Sequence, residues 1–227
     1  MGWRFGLGLI LVGLCGGMVW EPAIAATTAE DYRILGLAYR QQGQFEEAIA
    51  AMQTAVDLAP DHVSGQVLLG WTQHLADQDT AAAETLVNAW QLDPFAVSTA
   101  NALGIVYLVQ NRLWSAIATH LWAAYLQPDN EIAYFNLSLA AHGVGYYDWA
   151  IALAAKAVVL EPYNPHPLIA EAIAHWSKGD RSAAIERYRA AVSLSFSYAT
   201  VNVGTYLDRA AFSSRQIQLA QQIIAAL

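Results

Sequence analysis

The residues able to do chemistry are few and dispersed. The chain of 227 residues carries six histidines, nineteen carboxylates and one cysteine. His74 and His142 stand far apart in the chain, with His166 further on. A metal site would need such imidazoles to converge within about 2 Å of one ion. No HxxxH pair or neighbouring carboxylate forces that convergence. Polar packing, or hydrogen bonding to a ligand, is their expected role. Glu46-Glu47 and Asp77/Asp79 fall at turns or helix starts, where acids complement the helix dipole. No paired carboxylates accompany a nucleophile, no phosphate loop is present, and no serine sits on an elbow motif. Asn136-Leu137-Ser138 matches a glycosylation triplet but falls mid-helix. No catalysis, cofactor or metal is expected, so function must lie in binding.

The elements that would position a binding surface show in a fixed beat. Ala48, Ala82, Ala116, Ala150 and Ala184 stand 34 residues apart, as do Ala55, Ala89, Ala123, Ala157 and Ala191. Pro60, Pro94, Pro128 and Pro162 keep the same interval. A repeat of this length implies stacked units rather than one closed core. Within a unit the two alanines lie seven apart, on one helical face, where their small side chains let paired helices approach. Larger residues (Tyr32, Leu35, Tyr39, Phe45 and Met52 in the first unit) fill the gaps. Gly43, Gly145 and Gly179 sit where the first helix of a pair must stop, and each proline ends the second.

The first unit, 29–62, reads Tyr32-x2-Leu35-Gly36-x2-Tyr39, then Ala48-x3-Met52, Ala55 and Pro60. This resembles the tetratricopeptide repeat, whose pattern is W-x2-L-G-x2-Y…A-x3-F…P. Units 63–96, 97–130 and 131–164 keep most of it, including Leu69-Gly70, Leu103-Gly104-x2-Tyr107 and Leu137-Ser138. Unit 165–198 is weaker: Glu171 replaces the leucine and Phe196 the proline. His120 and His175 replace core aromatics and are expected to be structural. The resemblance implies an all-α, right-handed superhelical solenoid of five helix pairs, closed by C-terminal capping helices over 199–227. Ala199 to Phe212 is expected to form one helix, and Ser213-x-x-Gln216 is a capping-box start for the last.

Tetratricopeptide arrays bind ligands on the concave face, lined by the first helix of each pair. The resemblance therefore implies a peptide groove of Leu37, Val67, Trp71, His74, Asn101, Ile105, Leu108, Phe135, Leu139, His142, Ile169, Ile173 and Trp176. The stripe residues recur at three, four and three, which keeps each set on one helix face. Members of the family that hold chaperone tails use a clamp of lysine, arginine and asparagine on a carboxylate. Arg33, Arg40 and Asn101 are the only comparable groups here and do not complete it. An apolar helix or extended apolar peptide suits the surface better.

Net charge is -8, which argues against nucleic acid as partner. Between residues 57 and 176 eleven acids face only Arg112 and Lys156, whereas six bases follow against three acids. A charge contact near the C-terminus is one consequence, and the apolar tail Ile223–Leu227 is either the inner face of a cap or a self-association edge. Arg4, the apolar run Phe5 to Trp20 and Ala23-Ile24-Ala25 read as an export signal cleaved after residue 25, followed by a linker at 26–28. Cys15 lies within that segment, so the mature chain would be free of cysteine. Leu14 before it departs from a lipoprotein signal. The expected product is a non-catalytic adaptor in a periplasmic or lumenal space. The alternative is a structural or assembly subunit of a membrane-associated complex, anchored by an uncleaved N-terminal helix. N-terminal sequencing of the mature protein is expected to start at Ala26; an intact Met1 or Gly2 would favour the anchor.

Overall fold

A computed structural model describes residues 28–200 and 202–227; the segment expected to be an export signal, residues 1–25, lies outside the described residues. Ten helices form five antiparallel pairs. They are α1 (Ala29–Gln41) with α2 (Phe45–Leu58), α3 (Val63–Leu75) with α4 (Asp79–Leu92), and α5 (Val97–Val109) with α6 (Leu113–Leu126). Then follow α7 (Glu131–Gly143) with α8 (Tyr147–Leu160), and α9 (Pro165–Lys178) with α10 (Arg181–Leu194). A 3-10 turn (Phe196–Ala199), α11 (Val203–Asp208) and α12 (Ser214–Ile224) complete the chain. Each pair packs on the next, so the architecture is an all-α solenoid with no strand among the described residues.

Local chemistry sets the helix ends. Thr28 caps α1 in a capping box with Asp31. Asn130 and Asn164 accept from the first-turn amides of α7 and α9, and Pro165 opens α9 at a position where no amide donor is needed. The first helix of every pair stops in the same way. Gly43, Asp77, Asn111, Gly145 and Gly179, again 34 apart, all take positive φ, from 57° to 97°. The next amide in each case (Gln44, Gln78, Arg112, Tyr146, Asp180) donates to the carbonyl five residues back, at 2.8–3.0 Å. That is the left-handed helix stop that glycine adopts most readily and that Asp and Asn tolerate. Asp77 and Asn111 thus do the work of the glycines.

The alanine ladders line the seam. All ten alanines at these positions are at most 1% exposed. Beside them, in the first three pairs, a glycine on the first helix faces a larger residue sixteen positions on. A Cβ at Gly36 would lie 2.6 Å from Met52 Cγ, and one at Gly70 would lie 2.7 Å from Leu86 Cγ. At Gly104 it would strike the His120 ring at 2.5 Å. His120 is fully buried and neither ring nitrogen has a well-formed hydrogen bond. Burial holds its imidazole neutral, pushing the pKa down to about 3, with the Gly104 backbone offsetting only part of this. It serves as a filler of aromatic shape.

In the fifth pair Glu171 replaces the leucine and is buried. Burial raises its pKa, while Arg187 on α10, at 3.1 Å, and His175 favour the charged form. An ion pair thus crosses the seam where other repeats use apolar contact.

The C-terminal segment differs from the expected single helix over 199–212. Tyr198 is tied down on both sides: its carbonyl accepts from buried Tyr188 at 3.0 Å and its hydroxyl meets His166 Nε2 at 2.7 Å. Thr200 is extended, so the helix restarts only at Val203 and runs six residues. The capping box of Ser213 and Gln216 then starts α12.

Gly70→Ala is expected to lower unfolding stability by about 1–3 kcal/mol, because the new methyl meets both Leu86 and the Ala82 carbonyl oxygen. Urea titration followed by circular dichroism measures it, and an unchanged midpoint would mean that the pair can spread at no cost.

Candidate functional site

The first helices α1, α3, α5, α7 and α9 touch their successors in line and form the inner layer. The groove stripe expected on them divides into two chemically different halves.

Over the first three pairs it is open. Leu37, Val67, Trp71, His74, Asn101 and Ile105 are all half-buried, and Leu108 is buried at the boundary. Leu37 packs on the cluster of Met52, Val56 and Leu69. Val67 and Trp71 pack on Ala102, Leu103 and Val106. Each is fixed on one side by the next repeat and free on the other, a good state for a contact residue because little rotamer freedom remains to be lost. Trp71 lies 5.0 Å from the His74 ring, and His74 Nδ1 is held by Asp79 at 2.6 Å. Asn101 accepts from Asn130 at 3.1 Å, the same Asn130 that caps α7. His74 and Asn101 therefore work within the stack as well as facing the groove. Arg33 pairs with Glu30, and Arg40 reaches Thr72. Neither is free to serve as half of a carboxylate clamp.

Over the last two pairs the groove is filled by the chain itself. Phe135, Leu139, His142, Ile169 and Ile173 are at most 8% exposed. The segment from Val203 to Leu227 covers them. Phe212 sets its ring 5.7 Å from Phe135 and 6.5 Å from His166. The Gln216 amide, itself buried, donates to the Leu139 carbonyl at 3.1 Å and to His142 Nδ1 at 3.3 Å. Trp176 Nε1 donates to Gln222, and the Arg181 guanidinium lies 3.6 Å from the Trp176 ring. Helix α12 packs mainly on α9 and less on α10. The first helix of a further repeat would do the reverse, as α9 packs chiefly on α8. Its apolar face, with Ala220 and Ile223 fully buried, points inward, while Gln218, Gln221 and Gln222 are exposed. Of the apolar tail, Ile223 belongs to the inner face of this cap and Ile224 is half-buried, while Ala225, Ala226 and Leu227 are exposed.

This contact fixes the state of two histidines. His142 accepts at Nδ1 from Gln216, so its proton sits on Nε2 and is donated to Ser177 at 2.9 Å. Burial first, and the nearby Arg215 second, push its pKa down to about 4. Burial also lowers that of His166. Neither joins His74 at a common point. Among the described residues no group of three or more His, Cys, Asp or Glu could hold a metal.

Where the halves meet lies a cavity of about 520 Å³. Leu108, Leu113, Leu139 and Phe212 form its apolar walls; Asp208 and Arg215 supply charge. The sequence pattern did not show this cavity, because half of its wall comes from residues 208–216, outside the repeat register.

The tetratricopeptide repeat family model matches residues 29–62. A search of curated proteins finds no match. Among solved structures, MamA is 24% identical over 75% of this chain and 93% of its own, with a TM-score of 0.65. MamA from Desulfovibrio magneticus is 20% identical over 74% of this chain and 96% of its own, with a TM-score of 0.68. YrrB, described as a TPR protein with an unusual peptide-binding site, is 17% identical over 74% and 86%, with a TM-score of 0.61. At such identities the likeness is one of fold, and the chain is a tetratricopeptide-repeat solenoid.

An NMR titration of the His142 ring is expected to show a midpoint near 4, well below the ordinary 6.5. The unfolded chain binds the extra proton between those two values, so this histidine's contribution is complete above pH 6.5 and is lost as pH falls toward 4. The loss is about 1.4 kcal/mol per pH unit. A midpoint near 6.5 would show that the ring is not buried beneath the C-terminal segment.

Proposed function

We propose that this solenoid is a non-catalytic protein-interaction scaffold whose open groove, over the first three repeats, takes an apolar helix or extended apolar peptide. The observation that carries this reading is the contrast between the halves. One continuous inner stripe is covered, in repeats four and five, by an amphipathic helix of the chain itself. In repeats one to three the same stripe presents Leu37, Val67, Trp71 and Ile105 half-exposed. The concave face therefore accepts a helix, and the open part offers like chemistry. Trp71 is the natural anchor, being large and rigid with one face already packed. The peptide-binding site described for YrrB on the same fold supports this class of ligand.

The workplace we propose is an exported one, periplasmic or lumenal, on the strength of the N-terminal signal pattern. A second reading, a subunit of a membrane-associated complex, draws on exposed aromatics along α6 and on the loop between α4 and α5. Trp114, Tyr125 and Phe95 are each more than 60% exposed, and Trp122 stacks on Tyr125 at 5.5 Å. Tryptophan and tyrosine suit both protein interfaces and the membrane boundary. No helix among the described residues is long and apolar enough to cross a membrane.

Crosslinked pull-down from the native compartment would identify the partner. Trp71→Ala is then expected to weaken its binding by about 2 kcal/mol or more, measured calorimetrically, with the helical signal intact. Unchanged affinity would remove Trp71 as anchor and move the contact away from the open groove.

A further inference from the structure

The covered half of the concave face is the more complete helix site, and its occupant is held there differently from the helices of the repeats. Three independent features show this. The first is the latch. Gln216 is 3% exposed, and its side chain is fully engaged: Nε2 reaches Leu139 and His142, and Oε1 accepts from the Ser213 amide at 2.8 Å. Polar bonds also join neighbouring first helices elsewhere, as from Arg40 to Thr72 and between His142 and Ser177, but this latch holds a helix that lies outside the repeat register. The second is the hinge. Ala211, between α11 and α12, stands at φ 63°. The Phe212 amide donates to the Leu207 carbonyl, five residues back, as in the helix stops of the repeats. There the left-handed residue is Gly, Asp or Asn; here it is alanine, whose Cβ makes that conformation costly. The third is sparse packing: α12 rests mainly on α9 and only lightly on α10, and an open cleft of about 520 Å³, lined by Leu108, Leu113 and Leu139 on one side and by residues 211–216 on the other, lies beside its first turn.

A short helix with a strained hinge, a polar latch and an open cleft beside its first turn opens at lower cost than the repeats it rests on. We propose that α12 is the resident occupant of a helix-binding site on α7 and α9, and that an amphipathic helix of a partner protein displaces it. The site is made by Phe135, Leu139, His142, Ile169, Ile173 and Trp176. The partner's chemistry follows from the helix that fills it now. It presents a carboxamide that donates to Leu139 and His142, a small residue four positions on in place of Ala220, and an aliphatic residue seven positions on in place of Ile223. Its outer face is polar, as Gln218, Gln221 and Gln222 are. The tethered helix competes at high effective concentration, so only a helix with a closely matching face gains entry. This extends the open-groove reading to the other half of the same face and stands without it.

The test uses the full chain and, as probe, a fluorescent synthetic peptide of residues 209–227. By hydrogen exchange, α12 amides in the wild type should exchange at least tenfold faster than those of α7 and α9. Gln216→Ala should speed them further and bind the probe at least tenfold tighter than the wild type does. Ala211→Gly, which relieves the hinge and removes no side-chain hydrogen bond, should slow α12 exchange severalfold. Trp71→Ala should leave probe binding unchanged, which keeps this site separate from the open groove. Protection of α12 equal to that of α9 in the wild type would overturn the proposal, and that measurement needs no variant. So would a probe that binds neither protein. A Gln216→Ala protein that becomes two chains in light scattering, without taking up probe, would assign the site to a second copy and overturn the partner.

Discussion

Everything in this solenoid rests on how closely the two helices of a pair approach. In the first three pairs the distance is set by a glycine on the first helix at the point where the second presents a larger, fully buried side chain. Gly36 faces Met52, Gly70 faces Leu86, and Gly104 faces His120, each with no room for one more carbon. The alanine ladders hold that spacing along the seam. Because the approach is the same in the first three pairs, their inner helices stand in register and their outward faces align into one groove. The site is thus a by-product of the packing rule: the residues that touch neither seam nor neighbour form the concave stripe.

The same rule explains where the array becomes particular. In the fourth pair Ser138 takes the glycine position opposite buried Ala154, and in the fifth Ala172 stands sixteen residues before buried Tyr188. Tyr188 then reaches past the repeat to the Tyr198 carbonyl. That hydrogen bond and the one from Tyr198 to His166 hold the chain close to the inner face as it leaves α10. The exit path, rather than the composition of α12 alone, delivers the last helix to the groove rather than to the end of the stack. His142 and His166, neutral through burial, tie the concave face to this segment. His120, equally neutral, plays no part in it and only fills space.

Most of the framework was legible in the sequence because it depends on local and periodic chemistry. The proline and alanine intervals gave the helix pairs. The left-handed stops at Asp77 and Asn111 were harder to see, since only three of the five carry glycine, although their interval of 34 was there to be read. The single helix expected over 199–212 failed for a reason no local pattern contains. Residues 195–200 are held by Tyr188 and His166, which lie ten and thirty-two positions away from their partner Tyr198.

By itself, then, the sequence determined the repeat, the helix pairing and which side chains face inward, because these follow from periods of 3.6 and 34 residues. It could not decide how much of the inward stripe remains open. Phe135 and Trp71 carry the same kind of signal in their repeats, yet one is buried under Phe212 and the other is half-free. The difference comes from contacts spanning more than seventy residues, between Gln216 and the Leu139–His142 turn of α7. Only the folded chain brings those groups together. A buried carboxamide keeps its place when every donor and acceptor finds a partner, and that condition belongs to the assembled surface rather than to any one segment.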